Sequence, residues 1–469
     1  MKLAAFNEAV LATLPVRPAL DPGFLPADAF MRVYESGITE ANSTPVAIAI
    51  ERESERVSSY RMRVYADEAE WGEVNIYAVE RITKTLLWAY GGWRVFVGGP
   101  AYLGEHIRAA YARDGARKFD NDFMSGVYEK PFEVIVCEAD AVPEDRSGAR
   151  SIGRHLNGCR IGFDAGGSDR KVSAVIDGEA VYSEEVVWHP KTTADPAYHY
   201  NGIVEAFKAA AAKMPRVDGI GVSSAGIYIE NRTMVASLFL KVPKDAFERS
   251  VKDIYIRAAK EIGDVPLVVA NDGDVTALAG AMDLGDNSVL GIAMGTSEAG
   301  GFVDPDGNVT GWLNELAFVP VDFNPYAMVD EWSGDIGCGV KYFSQDAVAK
   351  LAPAAGIKLD PSLTPAEKLK AVQEICATGG MSALAIFDSI GVYLGYELAY
   401  YARFYPIRHV LILGRVTSGD GGARVLAEAE KTLATAAPEL ASKIRLHLPD
   451  ESSRRVGQSI AAASLPEIG

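Results

Sequence analysis

At 469 residues the chain is too long for one ordinary core, and its length points to roughly two to four domains. A formal net charge of −17 argues against a broad nucleic-acid or anionic-membrane surface, since both need dense Lys and Arg, but it leaves room for a small anionic substrate in a locally positive pocket. Forty-five glycines without a collagen-like period suit an α/β protein with many tight loops, and Cys137, Cys159, Cys338 and Cys376, scattered with no CxxC pair, read as buried thiols in a reducing compartment. No secretory leader and no apolar run of membrane-spanning length is visible, so a cytoplasmic protein with no membrane partner is expected.

In chain order, residues 1–150 read as an N-terminal α+β domain of unassigned role. Strands are expected at 46–50, 57–65 and 132–137, with amphipathic helices at 74–90 and 102–112. The stretch 141–151, with Pro143 and mixed charges, reads as a linker. From Cys159 the pattern is clearer. A strand at 160–163 enters a glycine loop, strand 171–176 returns, and Asp177-Gly178-Glu179 turns the chain into strand 181–187. A helix at 202–213 and a strand at 219–223 follow, then a strand at 265–270 that ends on Asn271-Asp272. Strand 289–294 enters a second glycine-rich hairpin, and helix 381–401 leads to strand 410–413 and a third glycine cluster. Hairpin, crossover helix, strand and second hairpin suggest one α/β unit used twice, with lobes at 159–285 and 286–469.

The first loop, Asp164-Ala165-Gly166-Gly167-Ser168, has the composition of a phosphate cradle. Gly166 and Gly167 would let backbone N–H groups approach the phosphates, Ser168 and Lys171 could donate to their oxygens, and Asp164 could hold Mg²⁺ through water. An ordinary β-turn explains the same residues equally well when the loop is taken alone. Gly295-Thr296-Ser297 repeats the composition after another strand, and Gly414 to Ser418 opens a strand-to-helix turn against which a purine and ribose could lie. Asp272, at the end of an apolar strand, is placed to accept a hydroxyl proton; Asn271-Asp272 could instead cap the following helix, a role that Asp274 suits at least as well.

These elements, in this order, resemble the superfamily of actin, the heat-shock ATPase chaperones and hexokinase, and within it the ROK family (repressors, open reading frames and sugar kinases). That family's Asp-x-Gly-Gly-Thr motif is similar to Asp164–Ser168, and its Asn-Asp-x-Asn-x-x-Ala-Leu segment to 271–278, with Asp274 for the second Asn. The resemblance covers residues 159–469. It implies a two-lobed ribonuclease-H-like α/β fold, here with an additional N-terminal domain, and ATP-dependent phosphorylation of a hydroxyl on a sugar or sugar-like polyol. Asp272 becomes the catalytic base; Ser224, Gly226, Asn271 and Glu315 become sugar contacts; ATP and Mg²⁺ become the expected cofactors.

Departures from the family are as informative. Phe318 stands where the family has a histidine, and the Cys-rich zinc motif is reduced to Gly337-Cys338-Gly339-Val340, so no zinc is expected. Glu298 places a carboxylate beside the second phosphate loop, where it would repel a phosphate unless it faces away or binds metal. Trp188, Trp312 and Trp332 could stack on a sugar, although core or surface positions are commoner for such residues. A catalytically degenerate sugar sensor or regulator remains an alternative, while strands and an acidic balance in residues 1–150 speak against DNA binding. That region could serve as an oligomer interface, a homodimer being one outcome, or as a lid.

Overall fold

Val46 to Ile50 bury five residues in succession, so the strand that carries them is covered on both faces. The computed structural model describes residues 1–146, 152–449 and 451–468, the side chains of 451–456 excepted. Its first sheet comprises β1 (Ser43–Glu51), β2 (Val57–Tyr65), β3 (Arg94–Gly98) and β4 (Glu133–Cys137), in the order β2-β1-β3-β4. β1 runs antiparallel to β2 and β3, and β3 parallel to β4. Ala47 and Ala49 pack with Val57 and Val142 on one face, which directs Val46, Ile48 and Ile50 to the other.

Helix Glu68–Tyr90 starts six residues before the apolar periodicity does, because Asp67 caps it by accepting from the Glu70 N–H; Gly91, at φ 76°, ends it. Helices Leu3–Thr13, Ala27–Ser36 and Lys118–Tyr128 were not anticipated from sequence. The expected linker at 141–151 lies partly outside the described residues; its first part lies on the sheet, with Val142 buried and the Arg146 N–H donating to Val57 O at 2.9 Å.

The second sheet holds β5 (Cys159–Ala165), β6 (Asp169–Ile176), β7 (Glu179–Val187), β8 (Gly219–Ser224) and, beyond a two-stranded ribbon of β9 (Ile227–Ile229) and β10 (Arg232–Val235), β11 (Leu267–Asn271). Its order is β11-β8-β5-β6-β7, with β5, β8 and β11 parallel and the β5-β6-β7 meander antiparallel. The final helix, Glu451–Ala463, crosses this sheet at Gly162 and Gly221. A Cβ at Gly221 would lie 1.6 Å from Ala462 O, so the helix backbone sits where any side chain would be.

The third sheet repeats the theme in the order β13-β12-β14-β15, from β12 (Val289–Met294), β13 (Glu298–Val303), β14 (His409–Leu413) and β15 (Arg445–His447). The chain divides into two units. One comprises Met1–Gly148, Ile292–Gly300 and Trp312–Leu448; the other comprises Ala149–Gly291, Gly301–Gly311 and Pro449–Gly469. No single helix among the described residues is long and apolar enough to cross a membrane; the one bent pair that passes by length and composition includes Met381–Tyr401, whose residues are mostly buried within its own unit.

Candidate functional site

The parallel strands β5, β8 and β11 end side by side, and their register decides what meets there. Asp164 lies opposite Ser223, Ala165 opposite Ser224, and Ser224 opposite Asn271. Asp272 follows immediately, as the first residue of helix Asp272–Leu284. Carboxyl ends of parallel strands are where open α/β sheets leave a crevice. A cavity of about 300 Å³ opens there, lined by the loop Asp164–Asp169, Lys171, Lys191, Ala225, Ser237, Leu238, Asp272 and Gln458. Asp164, Gly166, Gly167, Ser168, Lys171 and Asp272 are therefore brought to one wall.

The loop is held from behind. The Trp188 indole N–H donates to Gly166 O at 2.7 Å, and its backbone N–H donates to Ser168 O at 3.0 Å. Trp188 is 3% exposed, so it supports the loop rather than presenting a stacking face. Ser168 Oγ donates to Asp169 Oδ2 at 3.1 Å, and Lys171 pairs with Asp169 Oδ1 at 3.2 Å. Ser223 Oγ donates to Asp164 Oδ1 at 2.9 Å and accepts from Gln458 Nε2 at 3.1 Å. Asp164 is 7% exposed, and burial pushes its carboxyl up to about 6 despite the Ser223 hydrogen bond. Burial likewise raises the Asp272 carboxyl, while the Gly273 N–H and Lys191 oppose that rise.

The N-cap of helix Asp272–Leu284 is Asn271, not Asp274. Asn271 Oδ1 accepts from the Gly273 N–H at 2.7 Å and its Nδ2 donates to Gly226 O at 2.7 Å. Asp274 instead accepts from the Phe302 N–H at 3.1 Å. Asp272 Oδ1 also accepts from the Gly273 N–H, at 3.0 Å. The Ser224 hydroxyl is fully buried and accepts from Tyr228 and Tyr255 at 2.7 and 2.9 Å, which turns it away from the cavity that Ala225 lines. Sequence reasoning missed Lys191 and Gln458: the first sits just past a strand with no motif around it, the second on a helix nearly 300 residues from the loop it faces.

In the other unit, Gly295, Thr296 and Ser297 form a tight turn in which the Gly295 N–H donates to Ser297 O at 2.9 Å; both hydroxyl residues are exposed. Gly414, at φ 101°, packs against Met294, where a Cβ would lie 2.3 Å from Met294 O. Ser418, Gly419, Asp420 and Gly421 line a cavity of about 380 Å³ with Lys370, Gln373, Glu374, Cys376 and Ala377. Glu315 is half-buried ahead of the turn Leu316–Phe318, and Phe318 packs on Trp88 at 4.2 Å between ring centroids. Trp312 packs on Tyr90 at 4.5 Å, and Trp332, 67% exposed, lies against Phe119 and Phe318.

No protein-family model and no curated protein matches the chain. Solved structures do. The ROK hexokinase from Thermus thermophilus is similar over 65% of this chain and 97% of that one, at 19% identity and a TM-score of 0.50. A ROK-family transcriptional regulator, a homologue of the E. coli MLC protein, is similar over 66% of this chain and 79% of its own, at 18% identity and a TM-score of 0.48. A ROK glucokinase from Streptomyces griseus, solved with glucose and AMPPNP, is similar over 64% and 98%, at 21% identity and a TM-score of 0.44. The chain has the fold of the ROK hexokinase, a ribonuclease-H-like α/β architecture of the actin and hexokinase type, as the order of motifs implied. About a third of its length lies outside that likeness.

Proposed function

We propose that the chain is a ROK-type kinase that transfers the γ-phosphoryl group of ATP to a hydroxyl of a sugar or sugar-like polyol. The observation that carries this reading is the shared cavity: a glycine loop, two lysines and the Asp272 carboxyl line it together at the strand ends, beside Asp164 and Asp169. Phosphoryl transfer asks little more of a protein than positioning and charge compensation, plus a group to receive the hydroxyl proton. Asp272 suits the last role because, among the described residues, its carboxylate is tied in no ion pair, and only Oδ1 is engaged, by the Gly273 N–H at 3.0 Å.

The donor set fits Mg²⁺. Among the described residues no three His, Cys, Asp or Glu side chains gather as a metal nest, and Mg²⁺ needs only one or two carboxylates because it keeps water and takes phosphate oxygens. Asp164 would hold it through water, and the ion would offset negative charge on the phosphates. The cavity beside Ser418 has glycine-flattened walls and room for a purine nucleoside. Substrate identity stays at the level of a hydroxyl-bearing sugar or polyol, since Phe318 stands where the family has a histidine. Asp272→Asn, assayed with Mg·ATP against a panel of sugars, is expected to lose ~10²–10⁴-fold in turnover; turnover near that of the wild type would remove Asp272 as the base. Wild-type protein that binds sugars but transfers no phosphoryl group would favour the degenerate sensor instead.

A further inference from the structure

Lys191 is a cation that none of the sequence motifs contains. It lies in the short turn Pro190–Thr192 after β7 and lines the cavity with the loop and Asp272. Its side chain runs over Gly167: a Cβ added there would meet Lys191 Cε at 2.7 Å and Nζ at 2.9 Å. Glycine at 167 thus does more than free the backbone; it leaves room for an ammonium against the loop. The turn that carries Lys191 is anchored at both sides. Trp188 is pinned to the loop through Gly166 and Ser168, and the buried His199 ring bonds Pro190 O through Nε2 at 3.0 Å.

Two lysines line this cavity, and they differ. Lys171 is held by Asp169, whereas Lys191 makes no ion pair or hydrogen bond among the described residues. Its charge is felt by Asp272, whose carboxyl it draws back toward the ionised form against the effect of burial. An ammonium is a compact point charge with three rotatable donors, suited to oxygens whose negative charge must be matched during transfer.

We propose that Lys191 is a catalytic cation that contacts the non-bridging oxygens of the phosphoryl group in transit. The proposal rests on the phosphotransferase reading. In that step the substrate hydroxyl oxygen bonds to the γ-phosphorus while the bond from that phosphorus to the β,γ-bridging oxygen breaks. The hydroxyl proton passes to the Asp272 carboxylate, and ADP departs with the electron pair of the broken bond. Lys191 neutralises charge on the three oxygens that neither attack nor leave, and its charge favours the ionised form of Asp272 against the effect of burial.

The test compares wild type, Lys191→Ala and Lys191→Arg, with kcat and KM measured for Mg·ATP from about pH 5 to about pH 9. Lys191→Ala is expected to lose ~10²–10³-fold in kcat and to shift the acid limb of the pH profile upward, because Asp272 loses the charge that favours its ionised form. Lys191→Arg should keep the limb in place. A purely solvated lysine would move neither quantity, and wild-type kcat with an unmoved limb in Lys191→Ala overturns the proposal. If wild-type protein phosphorylates no sugar, the kinase reading fails separately, and calorimetric titration with Mg·ATP decides the role of Lys191. Binding weakened about tenfold or more by Lys191→Ala, ~1.4 kcal/mol, then supports phosphate contact; equal binding, or none to either protein, overturns it. Lys191 is exposed, so the variants should fold, which thermal melts check.

Discussion

Glu298 directly follows the second glycine loop, where a carboxylate facing phosphate would repel it. The side chain turns inward instead, 2% exposed, with Oε1 accepting from Tyr401 at 3.4 Å. Gly339 makes the space: a Cβ there would lie 2.2 Å from Glu298 Oε2. Burial pushes the Glu298 carboxyl up to about 8, and the buried Glu397, which feels its charge, is raised well above the usual carboxylate range. The sign follows directly. Between the unfolded value near 4.5 and the folded value near 8, the native state holds a proton that the unfolded chain has released, so stability falls as pH rises through that window. Glu298→Gln mimics the protonated acid. Its unfolding free energy should gain on that of the wild type from pH 5 to pH 8, by up to ~1.4 kcal/mol per pH unit; parallel stability profiles across that range would show that Glu298 does not titrate as described. From sequence, Glu298 was legible as an anomaly in its loop, but the direction its side chain faces was not.

Helix Glu68–Tyr90 shows the same limit one level up. Its apolar periodicity from Val74 was visible, yet Glu80, Arg81 and Lys84 sit on a buried stretch that a sequence pattern assigns to solvent. Their partners come from distant segments. Asp335 pairs with Arg81 at 3.1 Å and Arg117 at 2.6 Å, and also with Lys84, whose Nζ lies 3.8 Å from Cys338 Sγ. Burial alone would raise the Asp335 carboxyl; Arg81 and Lys84 outweigh it and hold it below the usual range. The cluster ties this helix to the Gly337–Val340 segment, which carries Cys338. Asp335→Ala would leave three buried cations around one missing charge and should cost ~3–5 kcal/mol, read as a lowered denaturant midpoint at unchanged m-value. A loss below about 1 kcal/mol, the scale of an exposed pair, would mean that water reaches these cations and compensates them.

At the scale of the molecule, residues 1–148 share one unit with 312–448. The Tyr77 hydroxyl donates to Phe323 O, Thr85 bonds Tyr400, and the Tyr90 hydroxyl donates to Phe404 O, each at 2.8 Å. A chain beginning at residue 152 would expose the apolar surface these residues cover. We expect it to lose cooperative unfolding by calorimetry for that unit, or to aggregate; a truncated chain with a sharp, reversible transition for each unit would show that residues 1–148 are a removable module.

Short-range pattern alone determined the hairpin-helix-strand order, the glycine loop at Asp164–Ser168 and the apolar strand that delivers Asp272, because alternation and glycine chemistry are local properties of a chain. Only the tertiary structure decided that Asn271 caps the helix, that Ser224 is taken by two tyrosines, that Glu298 points inward, and that Lys191 and Gln458 reach the cavity. Each of those outcomes depends on which distant residue fills the neighbouring space, and close packing between segments far apart in sequence is not written in the periodicity of either one.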